Sequence, residues 1–204
     1  MFVIVRHGNT FEADEPPRRI GARTDLPLTA TGIAQAHALG AHFAALGWRF
    51  SRMLISPLAR TRATAQAILA RQAAGATAIL PEPCAWLNEI DHGPDENRSE
   101  EAVLARIGMP ALAAWDARAE PPPGWHVDGD TRRSAWRDLF DEAGAQSTLL
   151  VTSNGAARFA LLADATLMAA APALQSLKLP TGGYGVIRRG SGGALEVPIW
   201  GKRP

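Results

Sequence analysis

The sequence of 204 residues has few of the features that mark several large classes of protein. Its single cysteine, Cys84, cannot form an internal disulfide, and no Cys-x-x-Cys pair suggests zinc or thiol redox chemistry. No apolar run reaches the length of a membrane span, and the run after Met1 is too short and lacks the basic leader of a signal peptide. The 21 basic and 20 acidic residues are interspersed and leave a net charge of +1, without the basic field that binds nucleic acid. We therefore expect a cytoplasmic protein with neither a membrane nor nucleic acid as its partner.

Short β-branched segments alternate with helical ones along most of the chain. With 47% hydrophobic residues the chain can bury a full core, and we predict one domain over residues 1–204. The alternation favours the α/β class, as a three-layer sandwich with a mainly parallel central sheet. Strands are predicted at residues 2–5, 52–55, 77–80, 148–152, 184–188 and 195–199, the last two around the glycine-rich turn 190–193.

Helical periodicity occupies the segments between these strands. The first helix is predicted to begin at a Thr29 cap and to end near Gly47. Further helices are predicted over residues 59–74 and from Gly155 onward. The apolar face of the first helix is expected to consist of Ile33, Ala36, Leu39, Phe43 and Leu46.

The middle of the chain, about residues 90–146, differs from the rest. It carries three consecutive prolines, several tryptophans and mixed charge, without long β-branched runs. We predict helices at residues 100–107 and 134–143 and interpret the segment as a helical insertion. Because ligands of open α/β sheets bind beyond the carboxyl ends of the strands, we expect the insertion to cover the active site.

A phosphate-binding pattern follows the first strand, where Arg6-His7-Gly8 leads into Asn9 and Thr10. The arginine offers a planar fork of donors to phosphate oxygens, and Gly8 lets the backbone come close. The amides of the turn are expected to add further donors. Taken alone the pattern is weak, since a histidine at the end of a strand is more often structural.

A second pattern, Ser56-Pro57-Leu58-Ala59-Arg60-Thr61, follows the second strand and opens a helix. Ser56 and the first free amides of that helix form a terminus that favours an anion, toward which Arg60 can lean. The alternative is that Arg60 and Arg62 are ordinary solvated arginines. A third pattern places Glu89 beside the apolar residues Trp86 and Leu87, where burial would raise the pKa of a carboxyl and suit a general acid. The alternative there is an ordinary loop glutamate.

In order and spacing, these patterns resemble the histidine phosphatase superfamily, which has the phosphoglycerate mutase-like fold. The segment 21–32 matches the family's stretch before its first helix, and residues 149–155 match its later strand and turn. The resemblance implies that His7 is the nucleophile, which forms a phosphohistidine, and that Glu89 is the general acid and base. It implies no cofactor and no metal. The residues that it assigns to the phosphate are Arg6, Gly8, Asn9, Thr10, Arg60, Asn154 and Gly155.

One position departs from the family pattern. The family usually has a histidine before the last glycine of the motif, whereas this chain has Asn154 before Gly155. An amide can still donate a hydrogen bond to a phosphoryl oxygen, but it carries no charge, and charge-assisted bonds are about twice as strong as neutral ones. Loss of a transition-state donor costs on the order of a hundredfold to a thousandfold, so a weaker donor should reduce activity without abolishing it. His92 is a candidate to replace part of the missing imidazole.

The function predicted from these residues is hydrolysis of a small phosphomonoester. Relatives that resemble true phosphoglycerate mutases are generally longer, so a mutase-like phosphotransferase is the second choice. A third is a catalytically impaired module that binds phosphorylated ligands or a protein, an alternative that Asn154 supports. The substrate cannot be identified from the insertion, and the oligomeric state is not encoded in any pattern that we recognise.

Overall fold

The computed structural model describes residues 1–72, 79–142 and 146–204. Within them, a six-stranded sheet has the order β3-β2-β4-β1-β5-β6. The first four strands in that order run parallel, and β5 and β6 run antiparallel to their neighbours. The strands are β1 (Phe2–Arg6), β2 (Arg52–Ile55), β3 (Glu82–Pro83), β4 (Thr148–Thr152), β5 (Tyr184–Arg189) and β6 (Leu195–Lys202).

Helices cover both faces of this sheet. They are α1 (Ala30–Ala45), α2 (Ala59–Leu69), α3 (Glu100–Arg118), α4 (Gly129–Asp141), α5 (Asn154–Ala157) and α6 (Ala165–Ala170). Short 3₁₀ turns lie at Ala85–Leu87, Gly93–Asp95, Arg158–Ala160 and Ala171–Ala173.

The alternation of side chains along β1 separates two hydrophobic cores. Phe2 and Ile4 point into a core shared with α4 and α6, whereas Val3 and Val5 point into a core shared with α1 and α2. A parallel strand buried on both faces reads as a continuous apolar run, which is the pattern of this segment. The predicted α/β sandwich of three layers is therefore confirmed.

The first helix begins as predicted, but its buried face differs. The Thr29 side chain accepts a hydrogen bond from the Gly32 amide at 3.1 Å, and the helix ends before Gly47, whose φ is +68°. Ile33 and Leu46, expected on the apolar face, are 45% and 47% exposed. Gly32 and Gly40 are buried in their place, because this face packs closely against neighbouring backbone and side chains.

Two other helix predictions also need correction. The segment after β4 was expected to form one helix, but α5 ends at Ala157 and continues as a 3₁₀ turn. A new helix, α6, follows, with Asp164 as its N-cap: the Asp164 carboxylate accepts from the amides of Thr166 and Leu167. The helix predicted to run to residue 74 ends at Leu69, and residues 73 and 74 lie outside the described part.

The third predicted strand, residues 77–80, lies partly outside the described residues. Its described part, Ile79 and Leu80, is not in a strand, and Leu80 is 80% exposed. The strand that pairs with β2 is instead Glu82–Pro83, with Leu54 opposite Glu82.

The helices of the middle segment are longer than predicted. The helix α3 continues past Ile107 to Arg118, with a kink before Pro110 where Gly108 has a non-helical, positive φ of +77°. The helix α4 starts at Gly129 and ends at Asp141, and residue 143 of the prediction lies outside the described part. In the described residues no single helix is long and apolar enough to cross a membrane. The segments Asn154–Ala160 and Ala165–Ala173 reach that length only together, with a bend of 108° between them.

Candidate active site

A polar cavity of about 560 Å³ opens where β1 and β4 end. The carboxyl ends of these parallel strands lie at the same edge, and the His7 amide continues the pairing by donating to the Thr152 carbonyl at 3.1 Å. The middle segment contributes His92, Glu100 and Trp115 to the wall, so it borders the cavity as expected. The predicted site residues on the wall are Arg6, His7, Asn9, Thr10, Glu89, Asn154 and Gly155.

The His7 ring is oriented by hydrogen bonds at both nitrogens, with Nε2 facing Arg60. Its Nδ1 lies 2.8 Å from the Gly8 carbonyl, an acceptor, so this nitrogen carries the proton and donates. Its Nε2 accepts a hydrogen bond from Arg60 Nε at 3.2 Å. Burial, followed by the charges of Arg60 and Arg6, lowers the pKa of His7 well below its ordinary value. The imidazole is therefore neutral near pH 7, with its lone pair on Nε2.

The two arginines beside His7 are anchored by backbone carbonyls. Arg60 donates from Nη1 to the Thr24 carbonyl at 2.8 Å and from Nη2 to the Gly21 carbonyl at 3.1 Å. It is fully buried, so the alternative of a solvated arginine is wrong for Arg60. Arg6 donates from Nη1 to the Leu179 carbonyl at 2.8 Å, and burial lowers its pKa to about 10. Both remain charged near pH 7.

The amides expected to face the phosphate are used inside the protein. The Gly8 amide donates to Thr64 Oγ1 at 3.3 Å, and the Asn9 amide donates to Gln35 Oε1 at 2.9 Å. Gly8 lies behind the cavity wall rather than on it, and a Cβ there would lie 2.3 Å from the Gly32 carbonyl oxygen. The prediction that these amides serve as phosphate donors is therefore wrong, because their hydrogen bonds are already made.

The N-terminus of α2 is likewise occupied. The Ala59 amide donates to both oxygens of the Asp25 carboxylate, at 2.8 and 3.1 Å. The anion that the helix terminus favours is thus a side chain of the protein, and the expectation of free amides there is wrong. Ser56 is buried and bonds to Asn88 Oδ1 at 2.8 Å.

Glu89 is an ionised carboxylate near pH 7. Burial raises the pKa of this carboxyl, but His92, the amides of Ile90 and Gly155, and Arg60 together lower it below the ordinary value. The two amides donate to Oε1 at 2.9 Å and to Oε2 at 3.2 Å. The expectation of a raised pKa is therefore wrong, because these donors outweigh the apolar surroundings.

Asn154, predicted to stand where the family has an imidazole, holds a loop in the structure. Its Oδ1 accepts from the Leu179 amide at 3.0 Å, which leaves its NH₂ group for the cavity that the residue lines. Leu179 is therefore bound from both sides, by Arg6 at its carbonyl and by Asn154 at its amide. His92 is also on the cavity wall and is 5% exposed, with its ring packed edge-on against Trp125.

Among the wall residues that the sequence analysis did not assign to the site, Arg158 is the buried cation. Arg158 is 1% exposed, lines the cavity and lies with its guanidinium carbon 4.2 Å from the centre of the Trp115 ring. Its position four residues after Asn154, on the same helical face, was the available signal. Arg23, by contrast, is exposed and pairs with Asp91.

Known proteins match the chain along most of its length. The family model of the histidine phosphatase superfamily (branch 1) matches residues 2–197. A 2,3-bisphosphoglycerate-dependent phosphoglycerate mutase of Mesorhizobium japonicum is 30% identical over 165 residues, which cover 78% of each chain. The corresponding mutase of Brucella canis is 28% identical over the same shares.

Solved structures match the fold over nearly the whole chain. A mycobacterial glucosyl-3-phosphoglycerate phosphatase has a TM-score of 0.76 at 19% identity, with 100% of this chain and 99% of that one covered. An α-ribazole phosphatase of Shigella flexneri has a TM-score of 0.72 at 20% identity, with 99% and 96% covered. At such identities the likeness is one of fold.

Proposed function

The chain belongs to the histidine phosphatase superfamily, and from this membership we propose that it hydrolyses a small phosphomonoester through a phosphohistidine on His7. The observation that carries the proposal is the state of the His7 ring. It is neutral, it is oriented by the Gly8 carbonyl, and its Nε2 lone pair accepts from Arg60 at the edge of an open cavity. A neutral imidazole with one unprotonated nitrogen is a competent nucleophile toward phosphorus.

In the first step, Nε2 of His7 attacks phosphorus in line and the bond from phosphorus to the leaving oxygen breaks. Arg6, on the cavity wall, offsets charge on the equatorial oxygens. Arg60 must release Nε2 as the new bond forms, and its Nε–H can then turn to a phosphoryl oxygen. The Asn154 amide adds a neutral donor, which is the reason for expecting a weakened rather than an absent activity.

Glu89 supplies the proton that the leaving oxygen needs. Although the neighbouring donors keep this carboxyl ionised, a phosphate dianion placed beside it disfavours its charged form and raises its pKa. Proton uptake therefore accompanies substrate binding. In the second step the Glu89 carboxylate takes a proton from water, the oxygen of that water attacks phosphorus, and the bond to His7 Nε2 breaks to release phosphate.

A mutase is the second candidate, because the relative with 30% identity is named as a phosphoglycerate mutase. Chain length does not argue against it, since the same alignment covers 78% of both chains and they are therefore of nearly equal length. The expectation that length separates the two activities is wrong for these relatives. Hydrolysis remains the first proposal, supported by phosphatases of the same fold over nearly the whole chain and by a cavity that water can enter.

The experiment compares the wild-type protein with His7→Ala and with a control, His126→Ala, which removes an exposed imidazole away from the cavity. Phosphate release is measured from p-nitrophenyl phosphate and from a panel of phosphorylated metabolites, and label from ³²P-substrate is trapped as acid-labile phosphohistidine. We expect release and trapped label in the wild type and the control, and neither in His7→Ala.

Other outcomes separate the alternatives. Label that moves between positions of the substrate with little release would favour the mutase. Binding of phosphorylated ligands without turnover would favour a binding module and contradict hydrolysis.

A further inference from the structure

Arg158 is a buried cation that the proposed hydrolysis does not use. Its Nη1 donates to the Trp115 carbonyl at 2.6 Å, whereas its Nε has no hydrogen-bond partner among the described residues. Burial lowers its pKa to about 10, so the guanidinium keeps its charge near pH 7. A guanidinium that lines a cavity and has donors without a protein partner can bind an anionic ligand.

Apart from Arg6, the other cations of this wall form ion pairs. Arg18 pairs with Glu15 at 2.9 Å, Lys178 pairs with Asp116 at 2.6 Å, and Arg19 pairs with Glu100. Across the described ranges, no carboxylate comes within ion-pair distance of Arg6 or Arg158. Arg6 lies beside His7 and serves the phosphoryl group, which leaves the charge of Arg158 without a partner.

Arg158 and Arg6 line the same cavity but are anchored by different parts of the chain. Arg6 donates to the Leu179 carbonyl, whereas Arg158 donates to the Trp115 carbonyl of α3 and packs on the Trp115 ring. Glu89, the proposed proton donor to the leaving oxygen, and Asp116 of α3 line this cavity as well. With the phosphoryl group at His7 and Arg6, Arg158 is thus the cation that α3 holds for the rest of a substrate.

We propose that Arg158 binds a second anionic group, a carboxylate or a phosphate, on the leaving part of the substrate. This inference rests on the proposed function, because it takes the phosphoryl group to lie at His7. The substrate class is then a phosphomonoester whose alcohol is itself an anion. Occupation of Arg158 would satisfy a donor that the free protein leaves unbonded, and a charged hydrogen bond of this kind favours the anionic ligand by roughly tenfold or more.

The test measures binding without turnover, by calorimetry, for pairs of phosphonates that differ in one carboxylate. The pairs are phosphonoacetate with ethylphosphonate, 3-phosphonopropionate with propylphosphonate, and 4-phosphonobutyrate with butylphosphonate. Within a pair a methyl group replaces the carboxylate, and from pair to pair the distance between the two anionic groups increases. In the wild type we expect at least one carboxylated member to bind roughly tenfold or more tightly than its alkyl partner. In Arg158→Met that ratio should fall to about one while the alkylphosphonate affinity stays unchanged.

Two further variants serve as controls. Arg18→Met removes a cation that lines the same cavity but is already paired, and it should leave the ratio unchanged. If Arg158→Met lowers the Tm, Arg158→Lys keeps the charge in a folded protein and should retain part of the preference for the carboxylate.

Each remaining outcome counts against the inference, against the proposed hydrolysis, or against both. If the wild type binds alkylphosphonates but binds both members of every pair equally, the role of Arg158 is refuted and the proposed hydrolysis is not. Equal weakening of both members in Arg158→Met would show that it contacts the phosphoryl group instead. Wild-type protein that binds these phosphonates but releases no phosphate from any phosphomonoester of the panel would refute the proposed hydrolysis. The affinity ratio within each phosphonate pair would still report on Arg158. Failure to bind any phosphonate would refute both.

Discussion

Gly155→Ala tests whether Glu89 must occupy its observed place. A Cβ added at Gly155 would lie 2.1 Å from Glu89 Oε1 and 2.6 Å from Ile90 Cγ1. Gly155 does not have a positive φ, so alanine is compatible with the backbone and the conflict is with the carboxylate. The Glu89 side chain, held by the Ile90 and Gly155 amides, must move by about 1 Å or more to restore ordinary van der Waals distance.

The expected effect follows from that displacement. A catalytic group misplaced by about 1 Å loses roughly a hundredfold in rate, or about 2.7 kcal/mol of barrier. Because Glu89 is proposed to protonate the leaving oxygen, the loss in kcat should be large for an alkyl phosphate, whose leaving group needs the proton. It should be smaller for p-nitrophenyl phosphate, whose leaving group is stable as an anion.

The assay is steady-state kinetics on both substrates, with Gly192→Ala as the matched control. A Cβ at Gly192 meets nothing within 4 Å, so this variant should keep the wild-type kcat and Tm. Wild-type kcat for Gly155→Ala on the alkyl phosphate would refute the role given to Glu89. An equal loss on both substrates would mean that Glu89 does not act on the leaving group.

Three further predictions follow from the same geometry. Asn154→His should raise kcat by about tenfold in steady-state assays, because it adds a cationic donor; an unchanged or lower kcat would contradict this. Burial alone would raise the pKa of Glu96, but His92, whose Nδ1 lies 3.6 Å from Glu96 Oε2, and hydrogen bonds from Thr24 Oγ1 at 2.8 Å and the Gly21 amide at 2.9 Å lower it to about 2. The ionised Glu96 therefore stabilises the folded protein above about pH 4.5, and this contribution is lost toward pH 2. Glu96→Gln should lower the free energy of unfolding in urea by about 2 to 3 kcal/mol near pH 7, and by progressively less on acidification. A loss that does not depend on pH would refute this prediction. Because the pKa of His7 is lowered, protonation of His7 should not reduce kcat/KM as the pH falls from about 7 to 6. Over the same range the imidazole of the unfolded chain gains a proton, so the free energy of unfolding should decline. A kcat/KM profile with an ascending limb near pH 6.5 that is due to His7 would contradict this prediction.

Much of the strand framework could be predicted because buried parallel strands leave a strong local signal. Residues 52–55 and 148–152 were predicted with the bounds that the structure has, since both are short apolar runs buried on two faces. The cluster at the sheet edge followed from these strands, because parallel strands bring the residues after their carboxyl ends together. His7 and Asn154 could thus be placed on one cavity from sequence position alone.

Other features depend on long-range contacts that no local pattern records. Ile33 is exposed because α1 is rotated so that Gly32, the residue before it, packs against Gly8 in the turn after β1. This contact joins two distant segments and leaves no local sequence signal. The lowered pKa of Glu89 depends on donors from Gly155, which lies 66 residues away in the chain. Arg158 was missed because an arginine after a glycine-rich turn is ordinarily solvated, and its burial requires Trp115 from the middle segment.

The arginines of this site are held by main-chain oxygens. Gly21, Thr24, Leu179 and Trp115 all offer a carbonyl, and every residue type has one. Gly21, Thr24 and Leu179 lie in loops, where a substitution does not remove the carbonyl acceptor, provided that the loop path is kept. Related proteins can diverge in these loops, and acquire new substrate preferences there, while the guanidinium groups remain in place. The same arrangement makes loop length, rather than loop composition, the property that directed evolution of this enzyme would have to preserve.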